Sequence, residues 1–145
     1  MKVLVQKVLS ASVEVNQKTV SQINRGLLLF ISIEKDDTAA QADYLAKKVA
    51  ALRIFEDENK KMNLSVQDVN GELLAVSQFT LAADLSRGNR PGFDSAAAPK
   101  EAEKLYEYFV EQLKKQNLPV QTGIFQADMS VKLINDGPCT FLLQR

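Results

Sequence analysis

Leu27-Leu28-Leu29-Phe30-Ile31-Ser32-Ile33 is the stretch on which the fold turns. Its apolar side chains do not alternate with polar ones, so both faces of an extended segment would be hydrophobic. That suits a strand covered on both sides. The run is short for a buried helix, and Gly26 directly before it punctuates the chain as strand starts do. A strand of this kind needs a layer on each face, and the flanking sequence has to supply both.

Upstream, Val3-Leu4-Val5 reads as a strand, as do Val13 and Val15 alternating with Ser12, Glu14 and Asn16, and then Thr19 to Ile23. Gln17-Lys18 and Asn24-Arg25-Gly26 are the turn signals between them. Downstream the period changes. Thr38 followed by Gln41 fits a capping box, and Ala42, Leu45, Val49 and Leu52 then recur at helical spacing. Asp43 precedes Lys47 in the favourable order for an exposed ion pair. Glu56 to Gly71 is polar and turn-rich, and Asn70-Gly71 leads into a second expected central strand, Glu72 to Leu81. Residues 82–98 hold Gly88, Pro91 and Gly92 without periodicity and read as a long loop, a kind of segment that is usually functional or mobile.

Pro99 opens the clearest helix, with Ala102, Leu105, Tyr106, Phe109, Val110 and Leu113 on one stripe and Asn117 and Pro119 to stop it. Strands are expected at about Val120 to Phe125, Ser130 to Ile134 and Cys139 to Leu143. No repeat or linker interrupts the pattern, so one domain over residues 1–145 is expected. Its class is α/β (α+β): a small β-rich barrel of mostly antiparallel strands with two main helices.

Composition narrows the chemistry. The 145 residues include 18 Lys+Arg, 18 Asp+Glu, no His, no Trp and one Cys, Cys139. Without His there is no Ser-His-Asp or Cys-His relay and no mixed Cys/His zinc site. A single Cys forms no internal disulfide and no CxxC pair. Catalysis is left to hydroxyls, carboxylates, amines, backbone groups or the substrate, and nothing in the pattern calls for a metal or a cofactor. Met1 to Val8 is interrupted by Gln6 and Lys7 and lacks a signal peptide's apolar region. No apolar stretch approaches the roughly 18 residues of a membrane span. A cytoplasmic protein without a membrane partner is the expectation. Zero net charge argues against long-range electrostatics as the main grip on nucleic acid, while leaving room for local contacts.

Three segments carry possible chemistry, each with a plainer alternative. Ser77-Gln78-Phe79-Thr80, at the end of the second buried strand, could line a pocket; alternatively Ser77 and Thr80 satisfy local backbone and Phe79 fills the core. Thr80 as nucleophile is the weaker option, since an alcohol needs an activating base and no His exists. Asn135-Asp136-Gly137-Pro138-Cys139-Thr140 has the composition of a hairpin turn. The sharper reading gives Gly137-Pro138 a cis bond, with two successive carbonyls facing a ligand. Arg87-Gly88-Asn89-Arg90-Pro91-Gly92-Phe93 could contact phosphate and stack on a base, or be a solvated loop. Lys114-Lys115 suits a helix C-terminus, and Cys139 suits a small buried hydrophobe.

Together these segments resemble the D-aminoacyl-tRNA deacylase family. The resemblance rests on Ser77-Gln78-Phe79-Thr80-Leu81 and Asn135-Asp136-Gly137-Pro138-Cys139-Thr140. It extends to Arg53-Ile54-Phe55 with Lys61-Met62-Asn63-Leu64, and to Gln121-Thr122-Gly123 with Ala127-Asp128-Met129. It covers essentially the whole chain, and the two longest motifs in this order make it specific.

The resemblance implies hydrolysis of the ester joining a D-amino acid to the 3′ end of tRNA, and of glycine mischarged on alanine tRNA. It implies a two-fold homodimer with active sites at the subunit boundary, and a Gly-cis-Pro element, here Gly137-Pro138, entering the partner's pocket. Ser77, Gln78 and Thr80 become the catalytic group. Phe79, Gly137, Pro138, Met129 and Lys7 become substrate-binding positions, with the terminal 2′-hydroxyl of the RNA assisting hydrolysis. A Thr80-dependent esterase or amidase and a non-enzymatic dimeric RNA-binding module are the alternatives. Two departures stand out. Lys7 occupies a position where the family often has Arg, and Lys lacks the planar fork that binds two carbonyls at once. Gly92 stands where the family often has Ser.

Overall fold

The computed structural model covers residues 1–145. Its elements are β1 (Lys2–Val15), β2 (Lys18–Ile23), β3 (Gly26–Ser32), α1 (Ala39–Ala50), β4 (Phe55–Glu56), β5 (Met62–Leu64), β6 (Glu72–Ser77), a 3-10 turn (Phe79–Ala82), α2 (Pro99–Lys114), β7 (Val120–Thr122) and β8 (Ser130–Gln144). The main sheet runs β2-β1-β3-β6-β7, with β8 also paired to β1. Pairs made by β1 are antiparallel, and only β3-β6 and β6-β7 are parallel. The sheet curls until β2 approaches β6 and β7, giving the nearly closed barrel and two helices expected from the pattern.

The decisive run behaves as its hydrophobicity dictates. Leu27, Leu29 and Ile31 join α1 and α2 in one buried cluster with Val3, Val5, Leu73, Ala75, Phe109 and Leu113. Leu28 turns the other way, into a smaller cluster with Val8, Val13, Ile23, Leu74 and Val76 that fills the barrel. One layer is helical and the other is the sheet curled on itself, which is why no face of β3 needs polar residues.

Both helices start as the sequence indicates. Thr38 caps α1, accepting from Ala40 N at 3.3 Å, while Gln41 Oε1 accepts from Thr38 N at 3.0 Å. Pro99 occupies the first turn of α2, and Asn117 follows its end at φ 60°. The Asp43 carboxylate does not pair with Lys47; it accepts from the Tyr108 hydroxyl at 2.9 Å and ties α1 to α2.

Several boundaries differ from the sequence expectation. The strands near Val3 and Val13 are one 14-residue strand. The first hairpin turns at Asn16-Gln17, both at positive φ, so the two-residue turn lies one position earlier than Gln17-Lys18. The polar stretch after Glu56 contains the β4-β5 hairpin. β6 stops at Ser77 and the chain coils into the 3-10 turn, where a strand was expected to reach Leu81. β7 ends at Thr122, short of Phe125. Asn135 to Thr140 is not a hairpin turn: it lies inside the 15-residue β8, which pairs with β1 on both sides of it. No helix is long and apolar enough to cross a membrane.

Candidate active site

The end of β6 opens onto a cavity of about 580 Å³. Ser77, Gln78 and Phe79 line it from one side, Met129, Asp128 and Phe125 from the segment between β7 and β8, and Ala102 and Tyr106 from α2. This volume lies within the range of small-molecule sites, and the lining is mainly apolar with a few polar groups. The abrupt change from strand to 3-10 turn builds the mouth. Gln78 N donates to Ile31 O at 2.7 Å, holding Gln78 beside β3. The turn that follows leaves Phe79 59% exposed. A strand continued to Leu81 would send alternate side chains to opposite faces, whereas the turn gathers them at one end of the sheet.

Thr80 does not line the cavity itself; it is tied to this group through Gln78, whose amide donates from Nε2 to Thr80 Oγ1 at 2.6 Å. The Thr80 hydroxyl therefore keeps its own proton to give away. No carboxylate or amine bonds to it, so nothing in the site removes that proton. Tyr106 holds the floor: its hydroxyl donates to Ala75 O at 2.9 Å, and burial pushes its pKa well above the usual tyrosine value. Ala75 O also accepts from Gly123 N at 2.9 Å, joining β6 to β7 beneath the site.

Gly137, Pro138 and Lys7 form a second group that does not line this cavity. Between the pairs Gln6↔Thr140 and Val8↔Asn135, residues 136–139 of β8 face Lys7 alone. The excess chain bulges outward, with Gly137 at φ 127° and the Gly137-Pro138 peptide bond cis. Side chains replace the missing ladder. Cys139 N donates to Asn135 Oδ1 at 2.8 Å, and Asn135 Nδ2 and Gln6 Nε2 donate to Thr140 Oγ1 at 2.9 and 3.2 Å.

Beneath the bulge Lys7 is only 5% exposed, and its ammonium lies 3.4 Å from the Asp136 carboxylate. A buried ammonium needs such a partner. Lys thus fixes the bulge through an ion pair to its first residue, a contact that needs no guanidinium fork. Cys139 is buried, which raises its thiol pKa and keeps it a packing residue. The Gly92 departure is sterically neutral: an added Cβ would meet Asp84 O and Cβ at 3.8 and 3.9 Å, ordinary contact distances.

Sequence reasoning did not assign Asp128, Phe125 or Tyr106 to a site. Asp128 is the only charged side chain lining the cavity. Its signal lay in a polar residue set between Ala127 and Met129, but the packing that brings it to the same cavity as Ser77 is tertiary. Tyr106 read as core, and it is core; the cavity begins where the core ends.

The sequence profile of the D-Tyr-tRNA(Tyr) deacylase family matches residues 4–144. The chain belongs to the D-aminoacyl-tRNA deacylase family. A family member from Geotalea uraniireducens (strain Rf4), named D-aminoacyl-tRNA deacylase, is 56% identical over 99% of this chain and 93% of its own. Another of that name, from Thermotoga petrophila, is also 56% identical, over 99% of this chain and 96% of its own. Among solved structures, the c-Myc DNA Unwinding Element Binding Protein superposes with TM-score 0.94 at 40% identity, covering 100% of this chain and 99% of that one. A probable eukaryotic D-amino acid tRNA deacylase superposes with TM-score 0.83 at 18% identity, over 98% of this chain and 97% of that one, a likeness of fold.

Proposed function

We propose that this chain hydrolyses the ester linking a D-amino acid to the terminal adenosine of tRNA, releasing free D-amino acid and tRNA, and that it also acts on glycine mischarged on alanine tRNA. The observation that carries the reading is the cavity at the end of β6, where Gln78, bonded to Thr80 just outside the lining, borders a mainly apolar chamber holding one charged group, Asp128. An aminoacyl ester presents a carbonyl, a side chain of variable size and an α-ammonium. Thr80 O–H and the Gln78 amide suit the first, the chamber suits the second, and the Asp128 carboxylate suits the third. Phe79, exposed at the mouth, offers a face for the terminal adenine, and Met129 packs the opposite wall.

In the proposed mechanism, water adds to the ester carbonyl carbon, the bond from that carbon to the ribose 3′ oxygen breaks, and a proton passes to the departing oxygen. The neighbouring 2′-hydroxyl assists the transfer, while Thr80 and Gln78 orient and polarise the carbonyl. Ser77 ends β6, paired with Ile31 of β3, directly before Gln78. No side chain acts as a strong base, in keeping with a chain that has no His.

Selection against L-substrates is assigned to Gly137 and Pro138 of a second copy of the chain. Side-chain pockets separate similar substrates by only about 1–3 kcal/mol per methylene, and here many D side chains must pass. A filter that senses only the direction of the side chain from Cα has to be rigid backbone, and glycine passes it for want of a side chain. Within one chain the bulge is solvent-exposed and outside the cavity, so it can act only across an interface. β8 pairs on one edge only, and Ile134, Phe141, Leu142 and nearby Leu9 are exposed along this region. A two-fold dimer through this surface would cover apolar area that a monomer leaves in water. The cytoplasm, where charged tRNA is used, is the proposed location.

Incubation with D-tyrosyl-tRNA and L-tyrosyl-tRNA tests the reading. Release of tyrosine from the D-substrate alone is expected. Release from both, with cleavage of simple esters, would make the chain a general hydrolase, and release from neither would make it a binding module. Gly137→Ala probes the filter. A Cβ there would lie 3.2 Å from Cys139 Cβ and N, at a φ of 127° that L-residues rarely adopt, so the bulge must move. The ratio of D to L hydrolysis is expected to fall by at least about tenfold. An unchanged ratio in the variant would remove Gly137 from the filter.

A further inference from the structure

Residues 82–95 are not slack loop. Asp84 and Gly92 exchange both backbone hydrogen bonds, Asp84 N to Gly92 O at 2.8 Å and Gly92 N to Asp84 O at 3.0 Å, closing residues 85–91 into a short arm. Its base is fixed to the site. Ser95 Oγ donates to Ala82 O at 2.6 Å, Ala97 N to Ile33 O at 3.1 Å, and the Phe93 ring lies 4.9 Å from that of Phe79 at the cavity mouth. At the end of the arm Arg87 and Arg90 are exposed, and neither forms a salt bridge. The acids nearest in sequence are Asp84 and Asp94, and neither pairs with Arg87 or Arg90. Asp84 is engaged in the arm itself, accepting from Ser86 N at 2.9 Å, a bond that holds its carboxyl below the usual carboxylate range. The arm thus carries two unpaired guanidiniums beside the cavity mouth.

We propose that Arg87 and Arg90 bind backbone phosphates of the RNA strand leading to the terminal adenosine, so that the arm docks the tRNA while the cavity reads the aminoacyl group. The inference rests on the deacylase reading and deepens it. Planar guanidiniums match phosphate oxygens with two donors each, and contacts to phosphate fix register without reading sequence, as an enzyme acting on many tRNAs requires. It also reconciles RNA binding with zero net charge: two unpaired cations suffice when they stand beside the reacting end.

The test compares wild type, Arg87→Gln/Arg90→Gln and a charge-matched control, Lys47→Gln/Lys48→Gln, whose lysines lie exposed in the last turn of α1. Two substrates are used: D-tyrosyl-tRNA, and D-tyrosyl adenosine, which has no phosphate. Binding of uncharged tRNA is titrated in parallel over a range of KCl. The arginine variant is expected to raise KM for D-tyrosyl-tRNA about tenfold with little change in kcat, to flatten the salt slope of tRNA binding by about 1.4, and to handle D-tyrosyl adenosine as wild type does. The lysine control should match wild type throughout. Equal losses on both substrates would mean that the arm shapes the cavity, and an unchanged KM and salt slope would mean that it touches no phosphate; either overturns the proposal. So does a lysine control that reproduces the effect. If wild type hydrolyses neither substrate, the deacylase reading falls, and the salt slope of tRNA binding still decides the arm.

Discussion

D-Tyrosyl-tRNA whose terminal ribose lacks the 2′-hydroxyl is expected to be hydrolysed about 10²–10⁴-fold more slowly than the natural substrate, the range for loss of a positioned proton-transfer group. Thr80→Ala is expected to keep activity within about tenfold of wild type. The two expectations belong together, because they follow from where the proton of Thr80 can go. Its oxygen already accepts from the Gln78 amide at 2.6 Å, and no base stands beside it. An alkoxide there has no route to form, so the hydroxyl serves as a donor to the ester carbonyl. Thr80 is exposed, so water can take over much of that role when the side chain is cut back. Single-turnover hydrolysis measured on both substrates with both proteins separates the cases. A severe loss in Thr80→Ala with a tolerated 2′-deoxy substrate would make Thr80 the nucleophile and discard substrate assistance.

What could be read from the sequence, and what could not, divides along a physical line. Local signals were legible. The capping box at Thr38, Pro99 at the start of α2, Asn117 at its end and the two-faced run Leu27 to Ile33 each declare their structure through contacts within a few residues. The Asn135 to Thr140 segment misleads for an instructive reason. Turn-forming residues were present because the backbone departs from the ladder there, but the departure is an outward bulge and the strand resumes in pairing with β1. Only the partner strand, more than a hundred residues earlier in sequence, distinguishes the two. Likewise Gln78 to Leu81 alternates polar and apolar residues as a strand does, yet the chain leaves the ladder after the Gln78 N to Ile31 O bond and coils into the 3-10 turn. The site motifs could be named from the residues, but their division into a cavity group and a bulge group is tertiary. Asp128, unassigned on sequence, gained its place for the same reason.

Gly26→Ala is expected to be the most destabilising single methyl that can be added to this chain's glycines, costing about 3–5 kcal/mol or preventing folding. A Cβ at Gly26 would fall 1.9 Å from Glu72 O, 2.7 Å from Glu72 N and 2.8 Å from Glu72 C, all backbone atoms. No side-chain rotation relieves that, so one strand must withdraw. Withdrawal is costly because Gly26 sits between Val8 of β1 and Glu72 of β6, at the start of the parallel ladder that aligns Leu27, Leu28 and Leu29 with Leu73, Leu74 and Ala75. Those six side chains are all fully buried. The same ladder ends at Ile31↔Ser77, so its register also sets where the strand end meets the cavity. Gly92→Ala is the matched control, since its Cβ finds only contacts at 3.8 and 3.9 Å and should change stability by less than about 0.5 kcal/mol. Urea unfolding of the two variants against wild type, at equal protein concentration because of the proposed dimer, measures the difference. Equal midpoints for Gly26→Ala and Gly92→Ala would show that β3 and β6 can part without loss, and the close approach at Gly26 would then play no role in holding the strand that carries Ser77 and Gln78.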